Sequence, residues 1–251
     1  MAIALFICSV VAYIYIGEIF DYIILAPTHK DFPSYIWLCK LGEMAHIPSL
    51  CLEDVQISFQ NTQLSGQFMM SFSASFLFGF IVSFPYLVWE LWRFIKPALT
   101  TRELKNSRGI LFWISLLFFV GVWFGYFIIT PYTVNFFASY TLSSQFQNII
   151  KIDDYLDSVM SLVLGTGLVF ELPVAVYFLS KLGMLTPLFM KTYRKYAVVI
   201  ILIVAAVITP PDVVSQIIVT IPLWILYELS IFISAKVQKE RIRKEKEFFS
   251  S

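Results

Sequence analysis

Charge is scarce in this sequence. Asp, Glu, Lys and Arg make up 14% of the 251 residues, against about 25% in soluble domains, while 59% are hydrophobic. An ordinary soluble domain is excluded, because the apolar residues fall in long uncharged blocks rather than in a dispersed amphipathic pattern. Histidine is scarcer still. His29 and His46 both lie between the first two apolar blocks, so an intramembrane serine–histidine hydrolase and a bis-histidine haem protein lack their parts. There is no Gly-rich phosphate loop. The three cysteines, Cys8, Cys39 and Cys51, form no CxxC pair, and nothing in the His spacing makes up for it. No metal, no cofactor and no catalytic site is expected. A net charge of +1 offers no basic footprint for nucleic acid. Transport, channel or docking functions are left.

What is present is an all-α integral membrane protein. A bilayer core of about 30 Å asks for about 20 apolar residues per helix, and six stretches approach that: 2–25, 68–95, 110–130, 158–180, 196–209 and 213–235. A charged tail, 236–251, follows, reading as a cytoplasmic helix from Lys236 to Glu247, and the whole reads as one membrane domain. Glu18 and Asp21 suggest that the first helix leaves the hydrocarbon in its last turns, and Pro131 ends the third. The fifth stretch is short for an unperturbed bilayer. Only Pro210, Pro211 and Asp212 part it from the sixth, so the two form a tight, shallow hairpin.

Lysine and arginine set the orientation. One side carries Lys30, Lys40 and Lys151. The other carries Arg93, Lys96, Arg102, Lys105 and Arg108, then Lys181, Lys191, Arg194 and Lys195, then the basic residues from Lys236 to Lys246. Both termini are therefore expected in the cytoplasm. No basic stretch precedes the first apolar run, which does not read as a cleaved signal. Cys39 and Cys51 share an outward loop, where they could be bridged or reduced.

An ionisable side chain inside a span costs a few kcal/mol and is a functional candidate by default. Glu171 is the main case, in Gly-Thr-Gly-Leu-Val-Phe-Glu-Leu-Pro from Gly165 to Pro173. Gly167 and Ala175 put small residues on its face, and Pro173 removes a backbone donor beside it. The plainer reading is a glutamate that hydrogen-bonds a neighbouring span. Glu90 can pair locally with Arg93, and Trp89 and Trp92 read as interfacial anchors. Glu103 sits in a basic loop after Pro97. Ser71, Ser75, Gly79 and Ser83 recur every fourth residue, and Gly121 and Gly125 form a GxxxG; both stripes read as helix-packing surfaces.

Several strings recur in order: Phe84-Pro85, Trp92-Arg-Phe-Ile-Lys-Pro-Ala-Leu99 with Glu103 after it, Phe170-Glu-Leu-Pro173, Thr209-Pro-Pro-Asp212, Ser215-Gln216, Ile221-Pro222 and Leu226-Tyr-Glu228. From about Phe68 to Ser234 the chain closely resembles the TatC family, the core subunit of the twin-arginine protein translocase. The resemblance implies six helices in a cupped molecule with both ends cytoplasmic and short fifth and sixth helices, in the bacterial inner membrane. It implies a receptor for twin-arginine signal peptides of folded precursors, driven by the proton-motive force. TatA- and TatB-type single-span subunits, the lipid bilayer and further copies of the chain are the implied partners.

Residue by residue, the resemblance gives Glu103, with Arg102 and Phe94 beside it, the binding of the arginine pair. Glu171 becomes the polar residue facing the concave side. Gln216 and Glu228 lie where partner helices dock, and Pro85, Pro97, Pro173, Pro210, Pro211 and Asp212 are structural motif positions. The family's His-Leu-x-Glu-Leu-Arg segment does not appear, and a truncated start is expected to leave the arginine site incomplete. Thr100 stands where the family commonly has Tyr, and Leu104 where it commonly has a basic residue. The rival class is a small secondary transporter or ion channel with Glu171 as its ion site, which would call for an inverted repeat that is not visible. A purely structural membrane subunit is the third reading.

Overall fold

The structure is a computed structural model that describes residues 1–29, 31–45, 57–95, 108–143, 148–210 and 212–249. His46, Cys51, Pro97, Arg102, Glu103 and Pro211 lie outside the described residues. Long helices dominate because apolar runs free of internal glycine and proline clusters leave the backbone no better way to satisfy itself in lipid. Among the described residues, four are long and apolar enough to cross a membrane, within Gly66–Phe94, Leu111–Ser139, Ile152–Lys181 and Val213–Glu240.

The first span is not one helix, contrary to the continuous 2–25 expected. Helix α1 (Ala2–Ile14) stops at Tyr15, and the chain resumes as α2 (Ile16–Ile19) and a π-helical turn, Phe20–Ile24. Residues 16–37, which run on through this turn into the next helix, meet α1 at 79°. Glu18 and Asp21 lie beyond the bend, which takes their charges away from the axis of α1. Helix α3 (Pro33–Ala45) follows. It contains Cys39, which is disulfide-bonded, whereas Cys8 is a free thiol.

Proline explains how the bent segment is held. Pro27 has no N–H, so the Ile23 carbonyl loses its helical donor, and the Thr28 amide turns to Leu25 instead at 3.0 Å. Tyrosines fill the gap: Tyr126 donates to the Ile23 carbonyl at 2.7 Å and Tyr155 to the Ile24 carbonyl at 2.5 Å. Tyr35 donates to the Pro27 carbonyl at 2.6 Å. Phe32 is buried among them, edge-on to Tyr126 and stacked on Phe127, each at 5.5 Å. Tyr155→Phe strands a buried carbonyl and is expected to lower stability by about 1–3 kcal/mol. Thermal unfolding in detergent checks it, with exposed Tyr22→Phe unchanged.

Strand β1 (Ser58–Gln60) precedes α4 (Gly66–Ile95), in which Pro85 is accommodated without ending the helix. Helix α5 (Arg108–Phe124) runs into a π-helical turn, Gly125–Ile129, and then into α6 (Thr130–Ser139). Pro131 was expected to end this helix and does not. It falls in the first turn of α6, where no backbone donor is required. Strand β2 (Ile149–Lys151) pairs in parallel with β1, Phe59 opposite Ile150, joining two loops that are some ninety residues apart. Phe59 then lies edge-on to Tyr155 at 5.2 Å.

Helix α7 (Ile152–Val169) begins earlier than expected, with Asp153 and Asp154 in its first turn, where acids favour the helix dipole. Helices α8 (Leu172–Lys181), α9 (Pro187–Thr192) and α10 (Arg194–Ile208) follow. At 15 residues, α10 is about 22 Å long, short as expected. Helix α11 (Val213–Phe249) joins the expected span 213–235 and the expected helix of the charged tail in one piece. It runs 37 residues, because nothing after Pro222, neither proline nor glycine, interrupts the continuation into the tail.

Both small-residue stripes pack helices. A Cβ on Gly79 would stand 2.7 Å from the Ser9 amide nitrogen, so α1 crosses α4 at backbone contact. On Gly121 it would stand 2.7 Å from the Thr166 carbonyl oxygen and 2.9 Å from the Gly167 Cα. One core gathers Ile24, Ala74, Leu156 and Val163, and another Leu162, Phe170, Ala205 and Leu223. Phe6, Ile14, Phe112, Ile200, Val207 and Phe232 point outward. In a membrane these are the lipid-facing surface, and in water they would be an aggregation liability.

Candidate functional site

Glu171 stands at a break between α7 and α8. The Phe170 amide still bonds the Thr166 carbonyl at 2.9 Å, but the Glu171 amide turns to Leu168 at 3.1 Å, a three-residue step. With Pro173 two positions on, the four-residue ladder cannot continue, and the Glu171 carbonyl starts α8 by accepting from Val174 and Ala175 at 3.0 Å. The break turns the side chain into the protein. Both carboxyl oxygens are buried and have no hydrogen-bond partner. The Phe118 amide faces the carboxyl without reaching hydrogen-bond geometry, being committed to its own helix. Around it the walls are rings: Phe118 is fully buried and stacks on Phe84, and Phe170 tilts against Phe124 at 5.5 Å.

Helix α7 also borders a hollow. Leu164, two helical turns before Glu171, lines a cavity of about 470 Å³ with Ser73, Phe76, Ser161, Gly165 and Ile208. Ser73 and Ser161 are polar groups on otherwise apolar walls. A hydrophobic segment with a few polar atoms fits such a surface better than a fully polar ligand does.

The other expected site residues are dispersed. Gln216 donates from Nε2 to the Leu202 carbonyl at 3.1 Å and so ties α11 to α10. Glu228 is bound to Arg194 at 2.7 Å, with side chains 28% and 47% exposed, a pair of small energetic weight. Both residues are held within the chain and half accessible. Glu90 accepts from the Tyr86 hydroxyl at 2.9 Å; no Glu90–Arg93 ion pair occurs among the described residues. Asp212 is buried and caps α11, accepting from the Ser215 amide at 2.6 Å. Its own amide donates to the Pro210 carbonyl at 2.7 Å. Phe94 is 83% exposed at the end of α4, beside the stretch that would carry Arg102 and Glu103.

Hydroxyls whose bonds the sequence does not announce hold this frame together. Thr166 donates to the Leu162 carbonyl at 2.6 Å and lies 3.0 Å from the Gly121 carbonyl. Thr133 and Ser215 share a buried hydroxyl contact of 2.7 Å, and Ser180 donates to Ser234 at 2.9 Å. Tyr227 donates to the Met190 carbonyl at 2.8 Å. A hydroxyl in an apolar span is the only local signal for such bonds, because the partner belongs to another helix.

Residues 1–222 match the family described as Sec-independent protein translocase protein (TatC). The chain is 43% identical over 225 residues to the Sec-independent protein translocase protein TatC of Blattabacterium sp. subsp. Periplaneta americana, covering 89% of this chain and 85% of that one. It is 42% identical over 169 residues to the Helicobacter pylori protein of the same name, covering 67% and 66%. It superposes on the crystal structure of the twin arginine translocase receptor TatC with a TM-score of 0.73, at 29% identity over 94% of each chain. The match in sequence covers most of the chain and the match in structure nearly all of it, so this integral membrane protein belongs to the TatC family of Sec-independent protein translocase components.

Proposed function

We propose that this chain is the receptor core of a twin-arginine translocase in the bacterial inner membrane, with its basic end and both termini in the cytoplasm. The observation that carries this reading is Glu171: a carboxyl with two buried, unmet oxygens at a helix break among apolar helices. Leaving such a group unpaired is costly, and the cost is recovered when a partner supplies a donor. Glu103 reads the arginine pair, since a carboxylate accepts two parallel, charge-assisted bonds from guanidinium, with Arg102 and Phe94 flanking it. The hydrophobic part of the signal then lies along the hollow toward Glu171. TatA- and TatB-type single-span subunits dock on α10 and α11, where Gln216 and Glu228 are half accessible. The proton-motive force drives passage, and several copies of the chain act together.

Photocrosslinking from position 103 tests this in membranes. Precursors bearing Arg-Arg are expected to crosslink, and those bearing Lys-Lys to lose the product, because lysine cannot make the bidentate contact. Equal crosslinking by both, from inserted and folded protein, would remove Glu103 from the site.

A further inference from the structure

We propose that the crevice between the π-helical turn after α2 and helices α4, α5 and α7 is a binding site for one acyl chain of a membrane lipid. The crevice has a volume of about 330 Å³. Since a cavity of about 150 Å³ takes up benzene, this space suits roughly a dozen hydrocarbon carbons. It is smaller than even one turn of a helix about 10 Å in diameter, which occupies roughly 420 Å³.

Its walls are apolar throughout, with Ile81, Phe119, Trp123, Leu156, Val159 and Val163 among them. The polar atoms at its rim are already spent on one another: the Tyr126 hydroxyl is given to the Ile23 carbonyl, and the neighbouring Ile24 carbonyl accepts from Tyr155. Water needs two to four polar partners to enter such a space and finds none. The crevice opens laterally, with Phe119 41% and Trp123 46% exposed at its mouth. Helices α4, α5 and α7 all belong to segments able to cross the membrane, so the medium at that mouth is hydrocarbon. A lipid tail therefore completes the packing that wedges the bent first span against the bundle. No charged side chain lines the crevice, so the site selects for chain length and not for headgroup.

Native mass spectrometry of the full chain in detergent tests the site, after adding phosphatidylglycerol or phosphatidylethanolamine with sixteen-carbon or eight-carbon tails. One long-chain lipid is expected to be retained with either headgroup, and the eight-carbon lipids several-fold less. Val159→Phe and Val163→Phe, which fill the space, are expected to lose the retained lipid. Equal retention by wild type and filled variants, or retention of only one headgroup, would overturn the assignment.

A variant that keeps Trp123 and replaces the other five tryptophans with phenylalanine gives a reading in unfilled protein. Quenching of Trp123 by lipids with brominated tails should persist after detergent dilution has displaced the bulk lipid. Quenching that falls in step with dilution would exclude a dedicated site, as would displacement of the lipid by a single-span partner helix that then quenches Trp123 through its own label.

Discussion

Glu171→Ala is expected to reduce precursor transport and partner crosslinking by about 10- to 100-fold, the equivalent of losing one charge-assisted hydrogen bond of about 1.5–3 kcal/mol. The same substitution is expected to leave the unfolding midpoint unchanged or raise it. The two halves of this result separate function from structure. A glutamate that merely glued two spans would be satisfied in the resting protein, and removing it would cost stability. Here both oxygens are buried without a partner, so alanine deletes a liability of about 2–3 kcal/mol and no bond. Glu171→Gln keeps a polar head of the same length and should retain part of the activity. Transport assays in membranes and thermal unfolding in detergent give the two readings. Normal transport and crosslinking by Glu171→Ala would remove the residue from the mechanism.

Gly121→Leu is expected to destroy packing, costing more than about 3 kcal/mol and abolishing a folded, protease-resistant bundle. The reason is backbone contact. Even the first carbon of a side chain would stand 2.7 Å from the Thr166 carbonyl oxygen, 2.9 Å from the Gly167 Cα and 2.9 Å from the Phe170 Cβ. Two of these three neighbours are backbone of α7, which cannot move aside without shifting the helix that presents Glu171. Gly121→Ala should already lower stability measurably. Gly17→Ala and Gly109→Ala meet nothing within 4 Å and serve as neutral controls. Limited proteolysis and thermal unfolding of the purified variants decide the point. A well-folded Gly121→Leu would mean that α5 and α7 do not meet this closely.

Much of the candidate site could be read before the fold was known. A lone glutamate between Gly167 and Pro173 in an apolar span is conspicuous, because the energetic cost of such a residue does not depend on which helices surround it. The Gly121–Gly125 pair and the Ser75–Gly79–Ser83 stripe were also legible as packing surfaces, since spacing alone places them on one helix face. Their partners were not legible: Thr166 and Gly167 for the first, Ser9 for Gly79. The half-engaged state of Gln216 and Glu228 was hidden for the same reason, as Leu202 and Arg194 lie on α10.

Some helix limits were misjudged for identifiable physical reasons. Pro131 signals a stop in isolation, yet the π-helical turn before it places proline in a first turn, where its missing N–H has no consequence. No residue at Tyr15 announces the 79° bend. What makes the bent path tolerable is distant, namely the hydroxyls of Tyr126 and Tyr155 on the carbonyls of Ile23 and Ile24. Likewise, three-residue strands such as Ser58–Gln60 and Ile149–Lys151 carry no periodicity that marks them as strands, and only their pairing defines them.

The sequence by itself determined the membrane class, the principal helices, the charge asymmetry between the two ends and the presence of a costly carboxyl in the fourth span, because each follows from local composition and the thickness of a bilayer. Tertiary structure decided that this carboxyl is left unmet, which glycines touch backbone, where the first span bends and which hydroxyls hold it there. These depend on groups brought together from separate helices, and hydrogen-bond satisfaction in hydrocarbon is settled only when those helices meet.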